Sequence, residues 1–104
     1  MARRDGNYSK VFAWRTAIRE DKDLSVQARC VALILSTYMD EEGVCWPGQQ
    51  LIADGCNLSP RMVRRYVFEL EEGDWLKVSL TQTSGGRRNT YLATVPWASY
   101  LGDA

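Results

Sequence analysis

The sequence contains no histidine, and that absence alone removes histidine-dependent nucleophile triads, histidine-held metal centres and the histidine-rich type of relaxase site. Cysteine is scarce. Cys30, Cys45 and Cys56 form an odd set without a CxxC pair, so neither a disulfide framework nor a thiolate metal site is expected, and the three read as small core hydrophobes. No Gly-rich phosphate loop stands between a strand and a helix; Gly85-Gly86 lies in a polar stretch between alternating segments, which is hairpin chemistry. Long hydrophobic runs are also missing. The longest is Cys30–Leu35, far below the ~20 residues that span a bilayer, and the basic opening with Arg3 and Arg4 is not followed by an apolar signal region. These absences point away from an enzyme, a cofactor and a membrane, and toward a soluble cytoplasmic protein.

An excess of charge is lacking too: Lys plus Arg and Asp plus Glu number 13 each, for a formal net charge of zero. The distribution is informative where the sum is not. Arg61, Arg64 and Arg65 cluster, as do Arg87 and Arg88, whereas acidic residues gather at Asp40–Glu42 and Glu69–Asp74. A basic face and an acidic end are expected on one molecule.

What is present fits a single domain of 104 residues, with a basic arm at 1–10, a folded unit at 11–96 and a tail at 97–104. Val11, Trp14, Ala17 and Ile18 fall at helical spacing, which predicts either a short helix or an extended lead-in ending near Arg19. Ser25 is a good N-cap for a long helix whose buried face takes Ala28, Val31, Ile34, Leu35 and Tyr38, widened by Cys30 and Leu33. Gln27, Arg29 and Ser36 are left for solvent. Asp40-Glu41-Glu42-Gly43 is expected to close that helix, with Gly43 as its left-handed C-terminal residue.

Val44-Cys45-Trp46 predicts a brief strand. Pro47 precedes a short helix at Gln49–Asp54, and Ser59 with Pro60 caps and starts another. Ala53 is the small residue two crossing helices require, and Asn57 is the best non-glycine residue for a turn at positive φ. Ile52, Cys56, Leu58, Val63 and Tyr66 then fill the space between the two helices. Trp75–Thr81 and Thr90–Val95 alternate, with Gln82–Asn89 joining them. The order of elements is that of an α+β winged helix-turn-helix: three to four helices with a C-terminal β-hairpin wing. Trp14, Trp46, Trp75 and Trp97 are expected in the core, a stacking platform for single strands being the rival reading.

Trp46-Pro47-Gly48-Gln49-Gln50-Leu51-Ile52-Ala53 followed by Asn57-Leu58-Ser59-Pro60-Arg61-Met62-Val63-Arg64-Arg65 resembles the helix-turn-helix domains of phage and plasmid replication initiators and related phage regulators. Leu70-Glu71-Glu72-Gly73-Asp74-Trp75-Leu76 resembles the exit that leads into their wing. The likeness spans about residues 24–95. Two positions depart from it: Asn57 stands for the usual turn glycine and Met62 for a common threonine. The resemblance implies double-stranded DNA as partner. It implies a role in transcription regulation, with the origin-binding module of a DNA replication initiator as alternative; a protein–protein winged helix is the reading from another class.

The faces of the recognition helix at 59–70 assign the roles. Val63, Tyr66, Val67 and Leu70 follow i, i+3, i+4, i+7 and point inward; Arg61, Arg65 and Phe68 lie opposite, with Arg64 on the flank. Arg61, Arg65 and Met62 are the expected base contacts, since an arginine pairs bidentately with guanine in the major groove. Arg64, with Ser59 and Gln49 at helix N-termini, and Arg87 and Arg88 on the wing, are the expected phosphate contacts. A wing that enters the minor groove is the alternative for the last two. Phe68 is expected either beneath the wing or tail, or at a contact between two copies; pairing of two copies would suit two half-sites. The charge order is itself a signal: arginines come early and Glu69, Glu71 and Glu72 late, against the helix dipole by roughly 0.3–1 kcal/mol per charge at most, which a purely solvated face has no reason to adopt.

Overall fold

The computed structural model describes residues 10–97; the arm with Arg3 and Arg4 and the tail after Trp97 lie outside the described residues. Val11, Trp14 and Ile18 are the buried face of helix α1 (Lys10–Glu20), so helical spacing rather than an extended lead-in governs this segment. Helix α2 (Val26–Ser36) begins at Ser25, whose hydroxyl accepts from the Ala28 amide and satisfies one orphan donor of the first turn, worth about 1 kcal/mol.

The buried stripe of α2 is Ala28, Val31, Ala32, Leu35 and Ser36, rotated from the face expected. The helix stops at Ser36 with Thr37 as its C-cap, so Tyr38 falls outside the period and is exposed, as is Leu33. In their place stand Ala32 and Ser36, the latter expected at solvent; with the expected Ala28 they make a row of small residues, which allows a neighbouring helix to approach closely. Ser36 is buried because both functions of its hydroxyl are used: it accepts from Arg15 Nε of α1 at 2.9 Å and donates to the Leu33 carbonyl. Arg29 is half-buried rather than solvated, and its Nη2 donates to the Asp21 carbonyl.

Gly43 is left-handed, at φ 81°, but it does not end the helix as expected. The helix has already stopped at Ser36, and Gly43 closes a separate turn in which its amide donates to the Asp40 carbonyl at 2.9 Å. A Cβ there would stand 3.1 Å from the Ala93 Cβ. Gly43 delivers the chain into β1 (Val44–Cys45), followed by α3 (Gln49–Cys56), α4 (Pro60–Glu72), β2 (Leu76–Thr83) and β3 (Gly86–Ala93). The three strands form an antiparallel sheet in the order β1-β3-β2, with Cys45 opposite Tyr91 and Leu76 opposite Ala93. Among the described residues, four helices with this sheet and its terminal hairpin make the α+β winged helix-turn-helix that the element order predicted.

Trp14, Leu35, Ile52, Val63, Leu70 and Tyr91 are fully buried together where helices meet sheet, each such apolar burial contributing roughly 1.5–3 kcal/mol before entropy is counted. The indole N–H of Trp14 reaches two carbonyls, Trp75 and Thr94, both at 2.9 Å, tying α1 to the base of the hairpin. Trp75 is buried as expected and donates to Asp21 Oδ2 at 3.1 Å. Trp46 and Trp97 are not core: each is about half exposed, Trp97 lying edge-on to Trp75. Among the described residues no helix is long and apolar enough to cross a membrane.

Candidate nucleic-acid interface

The turn between α3 and α4 is built by local chemistry. Asn57 adopts φ 57°, ψ 45°, the left-handed conformation its side chain tolerates, and the Leu58 amide closes onto the Ala53 carbonyl at 2.9 Å. Helix α3 runs two residues past the expected Asp54, to Cys56. Ser59 caps α4 by accepting from the Met62 amide at 3.2 Å, and Pro60 follows at the first helical position. Ile52, Ala53 and Val63 are fully buried at the crossing, with Cys56, Leu58 and Tyr66 half-buried around them. The cap leaves the Ser59 hydroxyl proton free to donate outward.

Along α4 the buried stripe is Val63, Val67 and Leu70. Arg61, Arg64, Arg65 and Phe68 are exposed and Met62 is half-buried; these five line one shallow depression of about 460 Å³. Arg64 Nη1 donates to Gln49 Oε1 at 3.0 Å, so two residues expected to hold phosphate come together across the two helices. Arg65 lies 5.9 Å from the ring centre of its neighbour Tyr66. Among the described residues the one ion pair joins Arg19 to Glu20. The exposed arginines of α4 therefore have no carboxylate partner among the described residues.

Phe68 is 60% exposed, and so does not pack beneath the wing. The reversed charge order of α4 has a partly different cause from the one inferred. Glu69 is half-buried and accepts from both the amide and the hydroxyl of Ser25, at 2.9 and 2.8 Å. This carboxylate fastens the start of α2 to α4. Glu71 and Glu72 are exposed.

The hairpin is longer and its turn tighter than expected. Strand pairing continues to Thr83 opposite Gly86, leaving Ser84-Gly85 as the two-residue turn. Gly86 takes φ 133°, a conformation favouring glycine. Arg87 and Arg88 thus lie within β3, opposite Gln82 and Thr81, not in a free loop. Successive strand residues face opposite sides, so Arg87 shares a face with Asn89 and the buried Tyr91, whereas Arg88 shares the other with Thr90. The Arg88 guanidinium stacks 4.8 Å from the Trp46 ring centre. Trp46, Gln49, Leu80, Arg87, Arg88 and Asn89 line a cleft of about 300 Å³ between the wing and the start of α3.

Sequence reasoning missed Trp46 and Leu80 as surface groups. For Trp46 the signal was available: the buried residue of β1 is Cys45, and its neighbour in an extended segment faces away. Leu80 is on the inward side of β2 by alternation with Leu76 and Val78, but at 60% exposure it lies beyond what the helices cover.

The described cysteines are free thiols. Burial, with the charge of Asp40, pushes the Cys45 thiol up to about 12; burial, with a hydrogen bond to Cys30, pushes Cys56 up to about 12 as well. Both remain protonated at neutral pH and are poor nucleophiles and ligands. Burial likewise raises Tyr91. Among the described residues no group of His, Cys, Asp and Glu could hold a metal ion.

The family model described as a helix-turn-helix domain matches residues 22–76, from the connector before α2 to the first residue of β2. No curated protein and no solved structure matches the chain.

Proposed function

The chain belongs to the helix-turn-helix domain family, and we propose that it binds double-stranded DNA with sequence preference by laying α4 in the major groove. The observation that carries this reading is the exposed row of Arg61 and Arg65, free of carboxylate partners among the described residues, on the side of α4 away from Val63, Val67 and Leu70. An α-helix fits the major groove, and an arginine whose fork is unoccupied can take guanine O6 and N7 together. In this reading Arg61 and Arg65 contact bases, with Met62 between them against a base edge.

The remaining cations fix position. Arg64, braced on Gln49, presents its guanidinium to a phosphate on one side of the groove; Ser59 and the Gln49 side chain meet the same strand from two helix starts. Arg87 and Arg88 take phosphates across the wing, and stacking on Trp46 restricts Arg88 before DNA arrives. A regulator of phage or plasmid origin is the role favoured by the resemblance of residues 46–65 and 70–76 to such domains.

Binding-site selection from random duplexes, followed by gel shifts at low salt, tests this. One enriched sequence is expected, and Arg61→Ala or Arg65→Ala should lose about 1–3 kcal/mol of discrimination at one position each. Failure to enrich any duplex contradicts the proposal. A palindromic result would report two copies on two half-sites, and repeated footprints within an origin would move the role from regulator to initiator.

A further inference from the structure

Phe68 is the large apolar side chain that the packing of α4 leaves unexplained. Its neighbours Val67 and Leu70 are buried, at 8% and 0% exposure, while Phe68 stands 60% exposed. Isolated exposed apolar residues are ordinary on protein surfaces, and Val26 and Leu33 are examples here. The position of Phe68 is what sets it apart. It continues the row of Arg61 and Arg65 at i+7 and i+3, and it shares their depression on the helix surface.

We infer that Phe68 reads a thymine, its ring packing on the C5-methyl group at the outer edge of the DNA site. This rests on the proposed major-groove docking of α4. Seven residues of helix carry Phe68 about 10 Å beyond Arg61 along the axis, roughly three base-pair steps of duplex. The thymine methyl is the one apolar group that base pairs present in the major groove, and a phenyl ring is a fitting partner for it. Arg61 and Arg65 then take guanines while Phe68 supplies preference for an A·T pair, which arginines do not.

A second copy of the chain is the competing occupant, and the charges oppose it. A two-fold contact places the same patch on both sides, so a Phe68–Phe68 interface would bring the Arg61, Arg64 and Arg65 of one copy against those of the other. Like charges juxtaposed in this way are repulsive. The same three cations attract a phosphate-lined groove.

The test uses the selected duplex, with each thymidine replaced singly by 2′-deoxyuridine, which removes only the methyl. Affinities are measured by fluorescence anisotropy for the unaltered chain, Phe68→Ala, Phe68→Leu and Val26→Ala, with thermal melts to verify folding. One replacement should weaken the unaltered chain about fourfold, the worth of one buried methyl. That sensitivity should vanish in Phe68→Ala while persisting in Phe68→Leu and in Val26→Ala, an exposed apolar position on α2 rather than α4. Equal responses of the unaltered chain and Phe68→Ala at every thymine overturn the inference, as does a selected site whose thymines can all be replaced without loss. A dimer that Phe68→Ala converts to monomer overturns it in favour of the second copy. If no duplex is selected at all, the DNA reading itself falls; if one is selected and only the methyl coupling is missing, this inference alone falls.

Discussion

Glu69 stands in the acidic stretch that closes α4, yet its carboxylate belongs to another helix. Both oxygens accept from Ser25, one from the amide and one from the hydroxyl, while the same hydroxyl caps α2. A hydrogen bond to a charged acceptor contributes about 1.5–3 kcal/mol, and at this half-buried site water replaces part of what the two bonds supply. Glu69→Ala is therefore expected to lower unfolding stability by about 1–3 kcal/mol, with Glu71→Ala, an exposed neighbour, within about 0.5 kcal/mol of the unaltered chain. Urea titrations of the two variants measure the difference; equal midpoints would remove the tie from the account. This role was not legible in the sequence, because Ser25 and Glu69 are brought together by the packing of α2 on α4 and share no local signal. The inward and outward faces of α4 were legible, since Val63, Val67 and Leu70 encode the stripe at helical period without help from elsewhere.

At the scale of elements, the parts fixed by nearest neighbours were the ones that could be read. Ser25 and Ser59 as caps, Pro60 at a first turn, Gly43 and Asn57 at positive φ are each set by a few adjacent residues. The turn of the helix pair depends on Asn57 in particular, which sits at φ 57° between Cys56 and Leu58. Asn57→Gly is expected to alter stability by only a few tenths of a kcal/mol, whereas Asn57→Val, branched at Cβ, should cost about 1–2 kcal/mol. Thermal melts compare them, and a valine variant as stable as the glycine variant would contradict the left-handed turn. The length of the wing was not legible. Gln82, Thr83, Arg87 and Arg88 show no apolar alternation because neither face of that part of the hairpin is covered by a helix, and pairing there is held by the backbone ladder. The stripe of α2 was not legible for the opposite reason: its run of apolar residues exceeds what is buried, and the sequence does not say that Ala32 and Ser36 are covered while Leu33 and Tyr38 are not.

For the whole molecule, a formal charge of zero conceals an arrangement. Arginines gather on α4 and the wing, while Glu71, Glu72 and Asp74 lie at the far end of α4. A protein of this kind should have little long-range attraction to DNA and a short-range one confined to the arginine face. Its affinity ought to respond to salt through the phosphates it touches, not through its net charge. The measurement that bears most directly on this is the salt dependence of binding to the selected duplex and to a scrambled one, with and without Arg64. The account predicts a linear fall of log affinity with log salt on both duplexes, a slope shallower by about 1 in Arg64→Ala, and a preference between the two duplexes that Arg64→Ala leaves intact. Binding indifferent to salt, or a slope unchanged by Arg64→Ala, would contradict it.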